Sequence, residues 1–300
     1  MSEMQDPTIT LKQQIAVKPQ GPDSYISVIK PTRMGELSAT VFGGNILAIA
    51  VNAAYQTIST THHLYSISGH FIRPATTDRN LICKVQRIRN TRTFETRHLQ
   101  VIQKAADGSA VLCLIASADF HIEEPRSMVV YAIPPRSGPQ ISHYEPLRHD
   151  PVPERHVLYR YIERFTDVQS ISIGGNEEET PATSRISGEK FRVKGPLETE
   201  AENMSALAFY LDKGLAYIPA NHNGYELSEA SACATLDFSL RIFTHKLNLE
   251  NWHTIEQQTI AAENARAFSE GRVWNDSGHL IASMTQQTIL RPRADFQSRI

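Results

Sequence analysis

Apolar positions along this chain follow two periods, and the same order of periods occurs in each half. In the first half, Phe42-Gly43-Gly44-Asn45 opens a run to Ala54 in which Ile46, Ala50, Ala53 and Ala54 recur at helical spacing, behind two glycines that permit a tight start. Strand-like stretches follow at 64–72, 81–88, 94–104 and 110–122. In the second half Met204, Leu207, Leu211 and Leu215 share one face of a predicted helix that ends near Pro219, and strands are predicted at 233–244, 252–262, 265–275 and 279–290. Alternation is cleanest at 234–242, where Leu236, Phe238, Leu240 and Ile242 take one face and Thr235, Asp237, Ser239 and Arg241 the other.

The two C-terminal hairpins echo each other. Asp107-Gly108 precedes Ile115-Ala116-Ser117, Asp276-Ser277-Gly278 precedes Ile281-Ala282-Ser283, and Arg97 and Arg266 sit on the strand before each turn. Order, turn chemistry and spacing together predict a tandem duplication. Helix and strands do not alternate as βαβ units, so the expected class is α+β, a long helix on an antiparallel sheet, built twice. The expected divisions are a first unit over 24–125, a Pro-, Arg- and Ser-rich linker over 126–150, and a second unit over 151–293. A loose insertion is expected at about 172–190 inside the second unit, and a polar tail at 294–300.

Composition narrows the partners. Of 300 residues, 41% are apolar and 21% charged, which excludes disorder, collagen and coiled coil. Thirty basic against 32 acidic residues leave no basic surplus to attract nucleic acid. Cys83, Cys113 and Cys233 are odd in number and far apart, which fits a reducing compartment. No secretory signal and no apolar run of membrane-spanning length occur, so no membrane span is expected. The chain ends in Ser298-Arg299-Ile300, similar to the Ser-Lys-Leu type of peroxisomal address; cytoplasmic residence is the alternative.

Several chemistries are missing. There is no Gly-x-Ser-x-Gly elbow, no His-Glu-x-x-His, no Walker loop and no Gly-x-Gly-x-x-Gly after a strand. His62 and His63 adjoin on one strand and point to opposite faces, a poor start for a metal site. Neither metal nor cofactor is expected, and any catalysis must rest on carboxylate, hydroxyl and amide groups.

Three motifs then carry a resemblance. They are Phe42-Gly43-Gly44-Asn45 before an alanine-rich helix; His70-Phe71-Ile72-Arg73-Pro74 with Thr93-Phe94-Glu95-Thr96-Arg97 downstream; and Ala234-Thr235-Leu236-Asp237 with Trp252, Ala265-Arg266 and Ala282-Ser283-Met284-Thr285-Gln286 after it. Their order and spacing resemble the acyl-CoA thioesterases of the medium-chain, thioesterase II type, found in bacteria and in peroxisomes. The resemblance spans roughly residues 25–125 and 200–292. It implies a double hotdog fold, an acyl-CoA substrate, and a homodimer or homotetramer. It also implies direct hydrolysis by a water that an Asp, a Thr or Ser, and a Gln orient, carried here onto Asp212, Thr235 and Gln286. Gly43, Gly44, Arg73 and Arg97 are the expected substrate contacts. Asp237 is the rival carboxylate, and either the Gly43-Gly44 turn or the start of the second helix is a candidate oxyanion site. Aligning the two Ile-Ala-Ser echoes sets Phe120 opposite Gln286, so the first unit is expected to shape the pocket rather than run the chemistry. Other expectations for such a fold are a non-catalytic acyl-CoA-binding protein and a hotdog enoyl-CoA hydratase, whose Asp-x-Asn-Pro-x-His segment is absent.

Overall fold

The computed structural model describes residues 9–33, 40–137, 161–171, 173 and 180–296. The chain opens with α1 (Leu11–Gln14), closed by a Thr10/Gln13 capping box, and with a hairpin of β1 (Val17–Gly21) and β2 (Ser24–Ser27). Helix α2 (Gly43–Tyr55) follows, then β3 (His62–Phe71), β4 (Ile82–Asn90), β5 (Phe94–Lys104) and β6 (Ala110–Ile122). The second unit comprises β7 (Thr166–Ile171), β8 (Ser187–Val193), α3 (Glu200–Leu211), the short α4 (Ile218–Asn221), β9 (Ala230–Ile242), β10 (His253–Glu263), β11 (Arg266–Asn275) and β12 (Leu280–Pro292).

All eight strands expected from periodicity form. They join four outer strands, two at each end, in one sheet among the described residues, ordered β1-β2-β4-β5-β6-β3-β9-β12-β11-β10-β8-β7. Every pairing in it is antiparallel. The β3–β9 ladder fuses the units into the expected α+β double hotdog, with Ser68 opposite Ser239. The four outer strands lie outside the strand predictions, because short polar strands such as Val17-Lys18-Pro19-Gln20-Gly21 carry no apolar alternation. The first unit therefore begins before residue 24, and β8 occupies part of the stretch read as a loose insertion. Residues 138–150 of the linker and the tripeptide 298–300 lie outside the described residues.

Helices α2 and α3 pack antiparallel in one continuous core with the inner face of the sheet. Gly44, at the start of α2, lies against Phe209 near the end of α3, and Tyr55, at the end of α2, hydrogen-bonds Glu200 at the start of α3. Nearly every α2 residue is buried, which accounts for its alanine-rich sequence: a helix covered on all sides needs small apolar residues throughout. Helix α3 stops sooner than the periodicity suggested. Asp212 is its C-cap and Gly214, at φ +97°, follows in the left-handed region, so Leu215 belongs to the next turn.

The ladders also correct the internal alignment. Ser117 pairs with Ser68 and Thr285 with Ser239, about the junction where Ser68 faces Ser239. A bulge falls at Cys113 in β6 and at Ile281 in β12 against matching positions of β5 and β11. The counterpart of Gln286 is thus Ala118, and Phe120 corresponds to Thr288; the Ile-Ala-Ser echo is out of step by two residues. Ala118 supplies no amide, so the conclusion that the first unit lacks this group stands.

Candidate active site

The end of α3 meets the start of α2, and there the three residues expected from the motifs come together. Asp212, as C-cap, points its carboxylate at the first turn of α2, where it accepts the Gly44 N–H. It also accepts from Gln286 Nε2 at 2.7 Å, and Gln286 Oε1 accepts from Thr235 Oγ1 at 3.1 Å. Gln286 is fully buried on β12 between Met284 and Thr288, on the inner face as its strand pattern predicted.

Thr235 reaches this chain of bonds by a route that alternation did not show. In the β9–β12 ladder Asp237 pairs with Gln287 and Thr235 with Thr288, so Leu236 is an extra residue in a bulge. The bulge turns Thr235 onto the inner face with Gln286 and Thr288, whereas the uninterrupted alternation had placed it with Asp237. Asp237 stays on the opposite face, paired with His70, so the rival carboxylate is separated from Thr235 and Gln286 by the sheet.

Burial dominates the electrostatics. It pushes the Asp212 carboxyl up to about 7, against the opposing pull of the Gln286 and Gly44 hydrogen bonds. A carboxyl that titrates near neutrality can hold or release a proton at physiological pH, which suits a general base. The positive end of α2 favours the ionised form, and the N-cap Phe42 makes no side-chain hydrogen bond to that helix end. The α3 N-terminus is closed by its own Thr199/Glu202 capping box.

Asn45 holds the α2 turn in place. Its Oδ1 accepts from Gln14 at 3.0 Å and Tyr161 at 3.3 Å, and its Nδ2 donates to the Thr32 carbonyl at 3.1 Å. One buried amide thus ties three chain segments to the turn that contacts Asp212. Asn45→Ala leaves those groups without partners and is expected to destabilise the protein by about 2 kcal/mol, read from urea unfolding midpoints.

The expected substrate contacts divide. Gly43 borders the carboxylate: a Cβ there would lie 2.5 Å from Asp212 Oδ2 and 3.1 Å from the Phe71 ring. Arg73, two residues beyond Phe71, is exposed and has no hydrogen bond or ion pair among the described residues. Arg97 is not brought to this site. Its guanidinium is fully buried and donates to Thr57, to the Arg89 and Thr96 carbonyls and to Glu95. An arginine enclosed in this way serves the first unit's core, since leaving the pocket would strand Glu95. No cluster of three or more ligating side chains that could hold a metal occurs among the described residues.

Comparison with known proteins decides the family. Residues 30–121 match the profile of the acyl-CoA thioesterase N-terminal domain, and residues 142–290 that of the acyl-CoA thioesterase C-terminal domain. The chain belongs to the acyl-CoA thioesterase family. It is a thioester hydrolase by that membership, in agreement with the resemblance drawn from its motifs. Acyl-CoA thioesterase 2 of Haemophilus influenzae is 23% identical over 261 residues, covering 84% of this chain and 87% of that protein. Mouse acyl-coenzyme A thioesterase 8 is also 23% identical, over 85% of this chain and 81% of its own length. Among solved structures, the acyl-CoA thioesterase II TesB2 of Mycobacterium marinum superposes with a TM-score of 0.73 at 17% identity, covering 96% of this chain and 99% of that one. A hot dog protein of Alicyclobacillus acidocaldarius superposes at 0.70 and 16% identity, covering 95% and 98%. At such identities the structures speak for the fold, and they support the double hotdog. Asn45, which follows Phe42-Gly43-Gly44, is itself a buried amide.

Proposed function

We propose that this thioesterase cleaves fatty or specialised acyl-CoA with a water activated by Asp212, Thr235 and Gln286. The observation that carries the reading is the continuous hydrogen-bonded chain from Thr235 through Gln286 to Asp212 at the start of α2. With Asp212 ionised, Gln286 must turn its NH2 to the carboxylate and its oxygen to Thr235. The Thr235 proton is then committed to Gln286, and the Thr235 oxygen is left to accept. A water between the two residues donates one proton to Thr235 and one to Asp212, so its lone pair faces the thioester carbonyl. Asp212 removes the proton as the C–O bond forms, and the Gly43 N–H, unpartnered among the described residues, receives the oxyanion. Collapse breaks the C–S bond, and the CoA thiolate takes the proton back.

A base with its pKa near 7 gives a defined pH limb. Turnover is expected to fall about tenfold per pH unit below that value, as Asp212 becomes protonated. A kcat profile flat from pH 5 to 8 would count against Asp212 as the base.

Exposed Arg73, beside Phe71, is the proposed anchor for the CoA phosphates. We place the enzyme in peroxisomes on the strength of Ser298-Arg299-Ile300. Fusing the last ten residues to a fluorescent protein is expected to direct it to peroxisomes, and a diffuse cytosolic signal would overturn that placement. A homodimer or homotetramer is proposed through the outer face of the sheet, by the resemblance to the family. Light scattering at micromolar concentration reads the stoichiometry.

A further inference from the structure

Asp212 sits between two residues that strands of the second unit hold in place. Tyr210, two places before it, donates its hydroxyl to Glu189 on β8 at 2.6 Å, and its ring stacks on Phe191 at 3.8 Å. Lys213, the next residue, gives its ammonium to both oxygens of Glu189, at 2.9 and 3.0 Å, and is buried. The Lys213 carbonyl accepts from Gln257 Nε2 on β10 at 3.0 Å. The same amide lies over Gly214, where an added Cβ would meet it at 3.1 Å. Gly214 in turn offers its carbonyl to the Tyr217 and Ile218 N–H groups, at 2.8 and 2.9 Å.

The first unit fixes the same point of its own helix by other means. Gln56 is the C-cap of α2 as Asp212 is of α3, so Thr57 corresponds to Lys213. The Thr57 carbonyl accepts from Arg97 on β5 at 2.8 Å. In the second unit Ser269 stands at the Arg97 position, and Gln257 takes the carbonyl from β10 instead. Both units thus clamp the carbonyl that follows the helix C-cap, an orphan acceptor that needs a donor once buried. The ion pair to Glu189 is the second unit's addition. A buried ion pair is a poor source of stability, because desolvation offsets the Coulomb gain, so its place one residue from the carboxylate points to another use. From α2, β12 and β3 the groups around that carboxylate are the Gly44 N–H, the Gln286 amide and the Phe71 ring, none of them charged. Lys213 and Glu189 are the charges beside it. A released ammonium one residue away would pair with the carboxylate and weaken it as a base.

We propose that Gln257 and Glu189 are positioning residues for Asp212: Gln257 fixes the turn that aims the carboxylate at α2, and Glu189 holds the Lys213 ammonium off it. The inference rests on the Asp212 site as read above and adds the residues that tune it.

Release of free thiol from octanoyl-CoA by the full chain, followed over about pH 5 to 9, tests this. Glu189→Gln is expected to move the acid limb of kcat down by about one pH unit, as Lys213 turns to Asp212. Lys213→Met is expected to move it up by about as much, since Glu189 is left unbalanced. The double variant is expected to restore the wild-type limb, because both charges are gone, and with Lys213→Met it decides the matter if Glu189→Gln fails to fold. Gln257→Leu is expected to lower kcat about tenfold with KM changed less than about twofold. Limbs that stay at the wild-type pH while Tm falls would overturn the role of Glu189, and a Gln257→Leu with wild-type kcat that of Gln257. With Asp212→Asn inactive, such a failure belongs to this proposal alone; full hydrolysis by Asp212→Asn would overturn the catalytic reading instead.

Discussion

Asp212→Asn is expected to lower kcat about a thousandfold while the fold survives, the size of effect general-base removal has elsewhere. Asn retains the shape and one hydrogen-bonding oxygen but cannot take a proton from water. The same substitution separates catalysis from stability through its pH dependence. The folded carboxyl is raised from its ordinary 3.8 to about 7, so the folded state binds the proton more tightly than the unfolded chain. That contribution to stability is fully present below about pH 4 and is lost as pH rises through about 7. At about 1.4 kcal/mol per pKa unit the burden of the ionised group above neutrality approaches roughly 4 kcal/mol. Asn does not titrate, so the Tm of the variant is expected to gain on wild type between pH 5 and pH 8. A variant that loses Tm steadily with pH, or keeps its turnover, would refute a buried catalytic carboxyl here.

The neighbouring glycines should fail in different ways when given a methyl group. A Cβ at Gly43 would come within 2.5 Å of Asp212 Oδ2, the end of a side chain that can rotate aside. Rotation breaks the bond to Gln286, so Gly43→Ala is expected to lose about a hundredfold in kcat with little change in Tm. A Cβ at Gly44 would come within 2.4 Å of the Phe209 carbonyl and of the Phe42 ring. The backbone of α3 cannot yield in that way, so Gly44→Ala must part the helices at a cost of about 2–3 kcal/mol. Urea unfolding read beside turnover distinguishes the two; equal losses of stability would show that Gly43 is a packing glycine as well.

Both predictions depend on how two helix ends meet, and that junction was only partly legible beforehand. The α2 helix was marked by its apolar repeat behind Phe42-Gly43-Gly44, and the eight central strands by their alternation, because burial on one face imposes a period that any reader of the chain can see. The outer strands β1, β2, β7 and β8, two at each end of the sheet, were not marked, since these short strands carry little apolar alternation. Gln286 was legible as an amide on an apolar strand face. Thr235 was assigned through the motif but to the wrong face, because the Leu236 bulge that turns it inward leaves no trace in alternation. Asp212, read by itself, looks like a solvated helix residue beside Lys213. Its burial arises from α2 lying across the end of α3, and Lys213 is drawn away to Glu189 at 2.9 Å.

The sequence by itself determined the duplication, the α+β class, the order of the central elements and, through its motifs, the family. Each of these follows from local periodicity or from short runs of residues. The register between the copies, the enclosure of Arg97, the bulge at Leu236 and the raised Asp212 carboxyl were decided only by the tertiary structure. All four depend on which strand or helix end lies beside another across more than twenty residues of chain, and no local period records that.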